Sequence, residues 1–231
     1  NGVDYTGAKG LRLERFFTHD GVHPFDELEY EIRSSKITEP DGTVVFEMND
    51  IEVPKNWSQL ATDIVASKYF RKAGVPGAGY ENSVKQLVFR VAHTIRQEGE
   101  RLGYFDAGKA AEVFEMELTH LLVNQKGAFN SSVWFNCGLH HHYKIKGSGG
   151  NYYWNPKTNA IEMTDDAYLH PQCSACFIQS VQDDLMGIFE LAKNEARLFK
   201  FGSGTGTNFS ALRGKQEKLS GGGTSSGLMS F

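Results

Sequence analysis

The most constraining feature of the chain is the order of three patterns between residues 174 and 206. Residues 174–181, Ser-Ala-Cys-Phe-Ile-Gln-Ser-Val, form a short apolar run of strand length. Asp183 and Asp184 follow, where carboxylates complement the positive N-terminal end of a helix. Leu185, Ile188, Phe189, Ala192, Ala196 and Phe199 then recur at helical spacing and predict a buried stripe. Lys200 suits the C-terminal end of that helix, Gly202 ends it, and Gly204 and Gly206 continue a glycine-rich loop. A strand followed at once by a helix returns to its sheet most simply by a right-handed crossover to a parallel neighbour. The segment therefore predicts an α/β unit, with its returning strand expected beyond Phe231.

The rest of the chain reads as two further regions. Residues 1–28 show no clean period and are expected to be irregular with one short helix. Residues 29–53 read as a hairpin: Glu-Tyr-Glu-Ile-Arg alternates, Pro40-Asp41-Gly42 signals a turn, and Thr43-Val-Val-Phe suits a strand. A helix is expected after Pro54, capped by Asn56, with Trp57, Leu60, Ala61, Ile64, Tyr69 and Phe70 inward. Residues 74–79 break it. A second helix spans about residues 83–99, burying Val84, Leu87, Val88, Val91 and Ile95. A third spans about residues 106–125, burying Phe114, Leu118, Leu121 and Leu122. A second hairpin is expected from Tyr143-Lys-Ile, a turn at Gly147-Ser-Gly-Gly150, and Asn151-Tyr-Tyr-Trp154. The predicted divisions are 1–53 (irregular segment with a hairpin), 54–127 (helical subdomain) and 128–231 (α/β unit).

Composition narrows the function classes. A formal net charge of -4 argues against a nucleic-acid or anionic-membrane surface. No apolar run reaches the length of a membrane span. Three cysteines are too few for a disulfide scaffold, which points to a reducing, cytoplasmic setting. The chain opens on Asn1 and stops at Phe231, soon after Ser220-Gly-Gly-Gly, so it reads as incomplete.

Several motifs carry candidate chemistry. The glycines at 202, 204 and 206 lack the Gly-Lys-Ser/Thr of a phosphate-binding loop, and they follow a helix where a dinucleotide fingerprint would precede one. Arg213 and Lys218 nearby suit a phosphorylated ligand. Cys173 and Cys176 form a Cys-x-x-Cys without the second ligand pair that zinc requires. Read within one strand, they point to opposite faces, so a redox-active cysteine would find its partner elsewhere. His140-His141-His142 reads as a surface loop, and no metal site is assigned. A metal-binding module built on these histidines and the two cysteines is the weakest reading. Asp165-Asp166 and Asp183-Asp184 read as helix-terminal or solvated carboxylates. Trp134, Phe135, Tyr152, Tyr153 and Trp154 read as core.

Five strings carry a resemblance: Val53-Pro-Lys-Asn-Trp-Ser-Gln-Leu-Ala-Thr-Asp-Ile64, Lys68-Tyr-Phe-Arg-Lys72, Asn130-Ser-Ser-Val-Trp-Phe-Asn-Cys-Gly-Leu139, Ala175-Cys-Phe-Ile-Gln-Ser-Val-Gln-Asp-Asp-Leu185, and the run from Glu195 through Phe201-Gly-Ser-Gly-Thr-Gly-Thr-Asn-Phe-Ser210 to Gly214. Together they resemble class II ribonucleotide reductase, the adenosylcobalamin-dependent family that makes deoxyribonucleotides. The likeness runs from about residue 45 to the end. It implies a mixed α/β fold, with an N-terminal helical region and the first part of a ten-stranded α/β barrel. It also implies radical chemistry with adenosylcobalamin, bound mainly by a C-terminal half, and a thioredoxin-like reductant.

By resemblance, Cys176 matches one of the two reducing thiols. Ser131, Ser132, Ala175 and Gly204 match substrate-binding positions, and Asp183, Arg213 and Lys218 fall in the region for a deoxynucleotide effector. The thiyl cysteine and the partner of Cys176 are expected beyond Phe231. Cys137 and Cys173 sit where the family needs no thiol and receive no role. No ATP-cone-like segment is evident. The implied partners are a C-terminal half or subunit and a ribonucleotide substrate, and a homodimer is compatible. The alternative is a non-catalytic nucleotide-binding or assembly protein on the same half-barrel.

Overall fold

The computed structural model describes residues 10–106 and 109–230, which divide into two compact units. The larger comprises residues 1–129 and 133–172; the smaller comprises residues 130–132 and 173–231.

The larger unit opens with an antiparallel hairpin, β1 (Tyr30–Thr38) and β2 (Val44–Pro54), as the alternation predicts. The Asp41 carboxylate accepts the Thr43 amide, and Gly42 takes the left-handed φ of 88° that the turn requires. Ile51 and Val53 point from β2 into the core.

Helix α1 (Gln59–Ile64) runs into a single π-helical turn at Val65–Tyr69. Its cap is Ser58, not Asn56, and it buries Thr62, Val65, Ala66 and Phe70 while Leu60 and Ile64 face outward. The cause is Arg33, whose guanidinium donates to the Trp57 carbonyl and the Thr62 hydroxyl and so turns that face to the hairpin.

Helix α2 (Val84–Arg101) begins with a capping box of Ser83 and Gln86 and buries Val84, Leu87, Val88 and Val91 as expected, with Ile95 at its margin. Helix α3 (Ala110–Val123) packs against it on a face that shares only Leu122 with the predicted one. Ala111, Glu115, Thr119 and Leu122 are buried, while Phe114, Leu118 and Leu121 are only half-buried. Glu115 sets that orientation by accepting from Arg96 (2.7 Å) and meeting His93 (2.9 Å) on α2.

A buried ion pair anchors the unit. Arg90 and Glu81 are both 0% exposed, and Arg90 Nε lies 2.7 Å from Glu81 Oε1. Arg90 also donates to the carbonyls of Trp134 (2.8 Å) and Cys137 (2.6 Å), and the Tyr143 hydroxyl donates to Glu81 (2.9 Å). Those carbonyls lie at the C-terminal end of α4 (Ser131–Asn136), where such groups otherwise lack partners. Gly138 follows at φ 82°, and a Cβ there would stand 2.5 Å from the Arg90 carbonyl oxygen.

Two expectations fail in the next segment. The three histidines lie on a short helix, α5 (Leu139–Tyr143), not in a loop, and Tyr143 ends that helix instead of starting a strand. The hairpin is β3 (Asn151–Asn155) with β4 (Ala160–Thr164), turning at residues 156–159. Gly147 is held instead by its amide donating to Asp166, whose carboxylate also accepts from the Tyr168 amide and meets His140 at 2.7 Å. Burial alone would raise the Asp166 pKa, but these donors outweigh it and hold the carboxyl below its usual range. The aromatic cluster also divides: Trp134 is core, whereas Phe135, Tyr152 and Trp154 are exposed.

The smaller unit is a parallel pair, β5 (Cys176–Ser180) and β6 (Gly204–Asn208), joined by α6 (Leu185–Lys200). The returning strand is thus the glycine-rich stretch itself, not a segment beyond Phe231. Thr205 and Thr207 alternate with the glycines and give that stretch enough β-branched character to pair. Asp184 caps α6 through the Gly187 amide.

The predicted buried stripe of α6 is reversed. Leu185, Phe189, Ala192, Ala196 and Phe199 are exposed, Leu191 is buried, and Ile188, Glu195 and Leu198 are half-buried. Within this unit the helix covers only a two-stranded sheet, which occupies one side of it. Among the described residues no helix is long and apolar enough to cross a membrane.

Candidate functional site

The smaller unit brings several of the candidate residues together. Parallel register sets Cys176 beside Gly204, Ile178 beside Gly206 and Ser180 beside Asn208 on one face. Phe177 and Gln179, with Thr205 and Thr207, take the other face, toward α6. Cys176, Ile178 and Ser180 are exposed, so the cysteine face is open. A Cβ at Gly204 would stand 3.9 Å from Cys176 Sγ, and one at Gly206 would stand 3.4 Å from Ile178 Cδ1. The two glycines keep the surface beside the thiol free of side chains. A ligand can approach the backbone closely there.

The surrounding hydrogen bonds fix this edge. The Gly204 amide donates to the Ala175 carbonyl, and the Ser203 hydroxyl donates to the Ser174 carbonyl at 2.7 Å. Ser132 is fully buried and donates to the Gly202 carbonyl at 3.2 Å, while Asn130 donates to the Cys173 carbonyl. Of the two candidate serines, Ser131 is the more accessible. Because the Gly204 amide is engaged in the strand pairing, Gly204 offers a ligand its missing side chain and not a donor. Cys173 lies before the strand, so the opposite-faces argument for the Cys-x-x-Cys does not apply to it. None of the three cysteines is in a disulfide.

The carboxylate of Asp183 and the guanidinium of Arg213 meet at 2.7 Å, and Asp183 also accepts the Arg213 amide. Arg213 donates a further bond to the Asp183 carbonyl. Lys218 is exposed and sits in a bridged loop opposite Thr224. Sequence reasoning missed Glu195, whose Oε1 accepts from the Thr205 hydroxyl at 2.8 Å and from Thr207 at 3.5 Å. The available signal was a carboxylate spaced with Ile188, Leu191 and Leu198 on the sheet side of an amphipathic helix.

Among the described residues no group of three or more histidine, cysteine, aspartate or glutamate side chains is arranged to hold a metal ion. The face of Cys176, Ile178, Ser180, Gly204, Gly206 and Asn208 is two strands wide and carries no histidine. These residues do not by themselves enclose a corrin.

Comparison with known proteins gives this arrangement its context. Residues 31–125 match the profile described as class II vitamin B12-dependent ribonucleotide reductase, and residues 174–231 match the ribonucleotide reductase barrel domain. A vitamin B12-dependent ribonucleotide reductase of Rhodopirellula baltica is 46% identical over 100% of this chain and 23% of its own length. One of Agrobacterium fabrum is 45% identical over 96% of this chain and 20% of its own length. A vitamin B12-dependent ribonucleoside-diphosphate reductase of Thermoplasma acidophilum is 48% identical over 26% of this chain and 8% of its own. The chain therefore spans about a fifth of the length of the first two relatives, and it matches their N-terminal portion. With both the N-terminal and the barrel profile matched in order along one sequence, the chain belongs to the class II, vitamin B12-dependent ribonucleotide reductases.

Proposed function

We propose that this chain is the N-terminal part, or a split subunit, of an enzyme that reduces ribonucleotides to deoxyribonucleotides. The observation that carries the reading is the exposed Cys176 at the start of a parallel strand, flanked by the side-chain-free Gly204. In this reading Cys176 and a cysteine in the rest of the protein are oxidised to a disulfide while the ribose 2′-hydroxyl leaves as water. A thioredoxin-like reductant returns the pair to thiols. Adenosylcobalamin, when bound, would supply the radical chemistry that activates the substrate by way of a cysteine in the rest of the protein, and its contacts would lie mainly there.

The Gly204 and Ala175 backbone would form a wall under the ribose, with Ser131 at its edge; Ser132, buried and donating to the Gly202 carbonyl, would act by fixing that edge. Asp183, Arg213 and Lys218 would contribute to a deoxynucleotide-effector region. The Asp183–Arg213 pair would hold the end of β5 against the loop after β6. The remaining barrel, supplied by the C-terminal part, is the principal partner; a homodimer and a cytoplasmic setting belong to the same proposal.

The test uses the full-length protein with adenosylcobalamin, a ribonucleotide and a dithiol. Cys176→Ser is expected to reduce deoxyribonucleotide formation to background, whereas Cys173→Ser leaves it largely intact. Turnover that survives Cys176→Ser overturns the thiol assignment.

A further inference from the structure

Glu195 is a carboxylate on the sheet side of α6, the only ionisable side chain among the half-buried and buried residues of that helix. Leu191 is buried on that side, and Ile188 and Leu198 are half-buried with Glu195. Strand residues beneath a covering helix are ordinarily aliphatic. Here β5 contributes Phe177 and Gln179, while β6 contributes Thr205 and Thr207, whose hydroxyls both donate to the same Glu195 oxygen. Polar groups in such a layer are costly unless partnered, so each of the three side chains depends on the others.

The geometry also gives the cluster a job. Strand register is specified by side chains that fit one face and not the other, and glycine contributes none. In β6 the only side chains between residues 204 and 207 are the two threonines, two residues apart and on one face. A slip of one residue would turn Thr205 onto the open face beside Cys176 and cover backbone that glycine leaves free there.

We propose that Glu195 is a positioning residue that clamps the register of β6, holding Gly204 and Gly206 on the Cys176 face and thereby setting ribonucleotide affinity. The inference rests on the ribonucleotide reading of that face. Glu195 touches neither thiol nor glycine and acts only through Thr205 and Thr207.

The experiment uses the full-length protein and two kinds of readout. Glu195→Leu removes the acceptor, and the pair Thr205→Val with Thr207→Val removes both donors while leaving α6 untouched. Each is expected to speed amide hydrogen exchange in residues 205–208 by about tenfold and to raise the ribonucleotide KM by about tenfold, with kcat changed less than threefold. One decade corresponds to about 1.4 kcal/mol. Glu195→Gln keeps an acceptor oxygen and is expected within about twofold of wild type on both readouts.

A lowered melting temperature with KM unchanged in both the Leu and the double-Val variants would mean a purely structural role and overturns the proposal. Unchanged local exchange overturns it equally. A wild-type protein that neither binds nor reduces ribonucleotides overturns the functional reading and, with it, the affinity half of this proposal. In that event the exchange readout alone decides the clamp.

Discussion

Helices α2 and α6 make an instructive pair. Both are amphipathic, both are capped by a side-chain oxygen, and they span 18 and 16 residues. Yet α2 buries a continuous stripe around Val84, Leu87, Val88 and Val91, whereas α6 buries only Leu191. The period of a sequence states which side chains share a face; what lies over that face decides whether they are buried. Helix α2 has a hairpin strand, α3 and α5 as neighbours in its own unit, while α6 has one two-stranded sheet. The apolar side of α6 that the period selects carries Leu185, Phe189 and Phe199 at 58–63% exposure.

The sharpest way to break the contrast is through the charge buried beneath α2. Arg90→Met would strip Glu81 of its cationic partner and remove the guanidinium donors to the Trp134 and Cys137 carbonyls. The expected loss is about 3–5 kcal/mol, because an unpaired buried carboxylate remains. All three tryptophans, Trp57, Trp134 and Trp154, lie in the larger unit, so urea unfolding followed by tryptophan fluorescence reads it selectively. A loss below about 1 kcal/mol would mean that the ion pair is not the anchor described here.

A milder comparison uses truncation. Leu87→Ala on α2 is expected to cost about 2–4 kcal/mol, as a buried leucine cut back to a cavity does. Phe189→Ala on α6 is expected to stay within about 0.5 kcal/mol in the 231-residue chain. Circular dichroism across a denaturant series measures both, and comparable losses at the two sites would erase the distinction between the helices.

What the sequence allowed to be read follows the same division. The first hairpin and the inward face of α2 were legible because local alternation and helical spacing agreed with what packs there. The faces of α1 and α3 were not, because Arg33 and Glu115 reach across to other elements and rotate those helices toward polar partners. The glycines at 204 and 206 read as a loop because glycine disfavours strands; Thr205 and Thr207 between them, tied to Glu195, carry the pairing instead. Cys176 was found by resemblance, and the openness of its face appears only when its strand partner is known to be Gly204.

Another small effect is expected at the N-terminal end of α6. Asp183 and Arg213 meet at 2.7 Å with side chains 33% and 32% exposed, so solvent screens most of their attraction. A double-mutant cycle of Asp183→Asn and Arg213→Gln is expected to give a coupling of about 0.2–1 kcal/mol, shrinking as salt is raised. The main-chain bonds that accompany the pair, from the Arg213 amide and to the Asp183 carbonyl, argue for the upper part of that range. Hydrogen exchange in residues 210–214 reads the local stability directly. A coupling well above this range would mean that the pair is more deeply shielded in solution, and α6 would then resemble α2 at its N-terminal end after all.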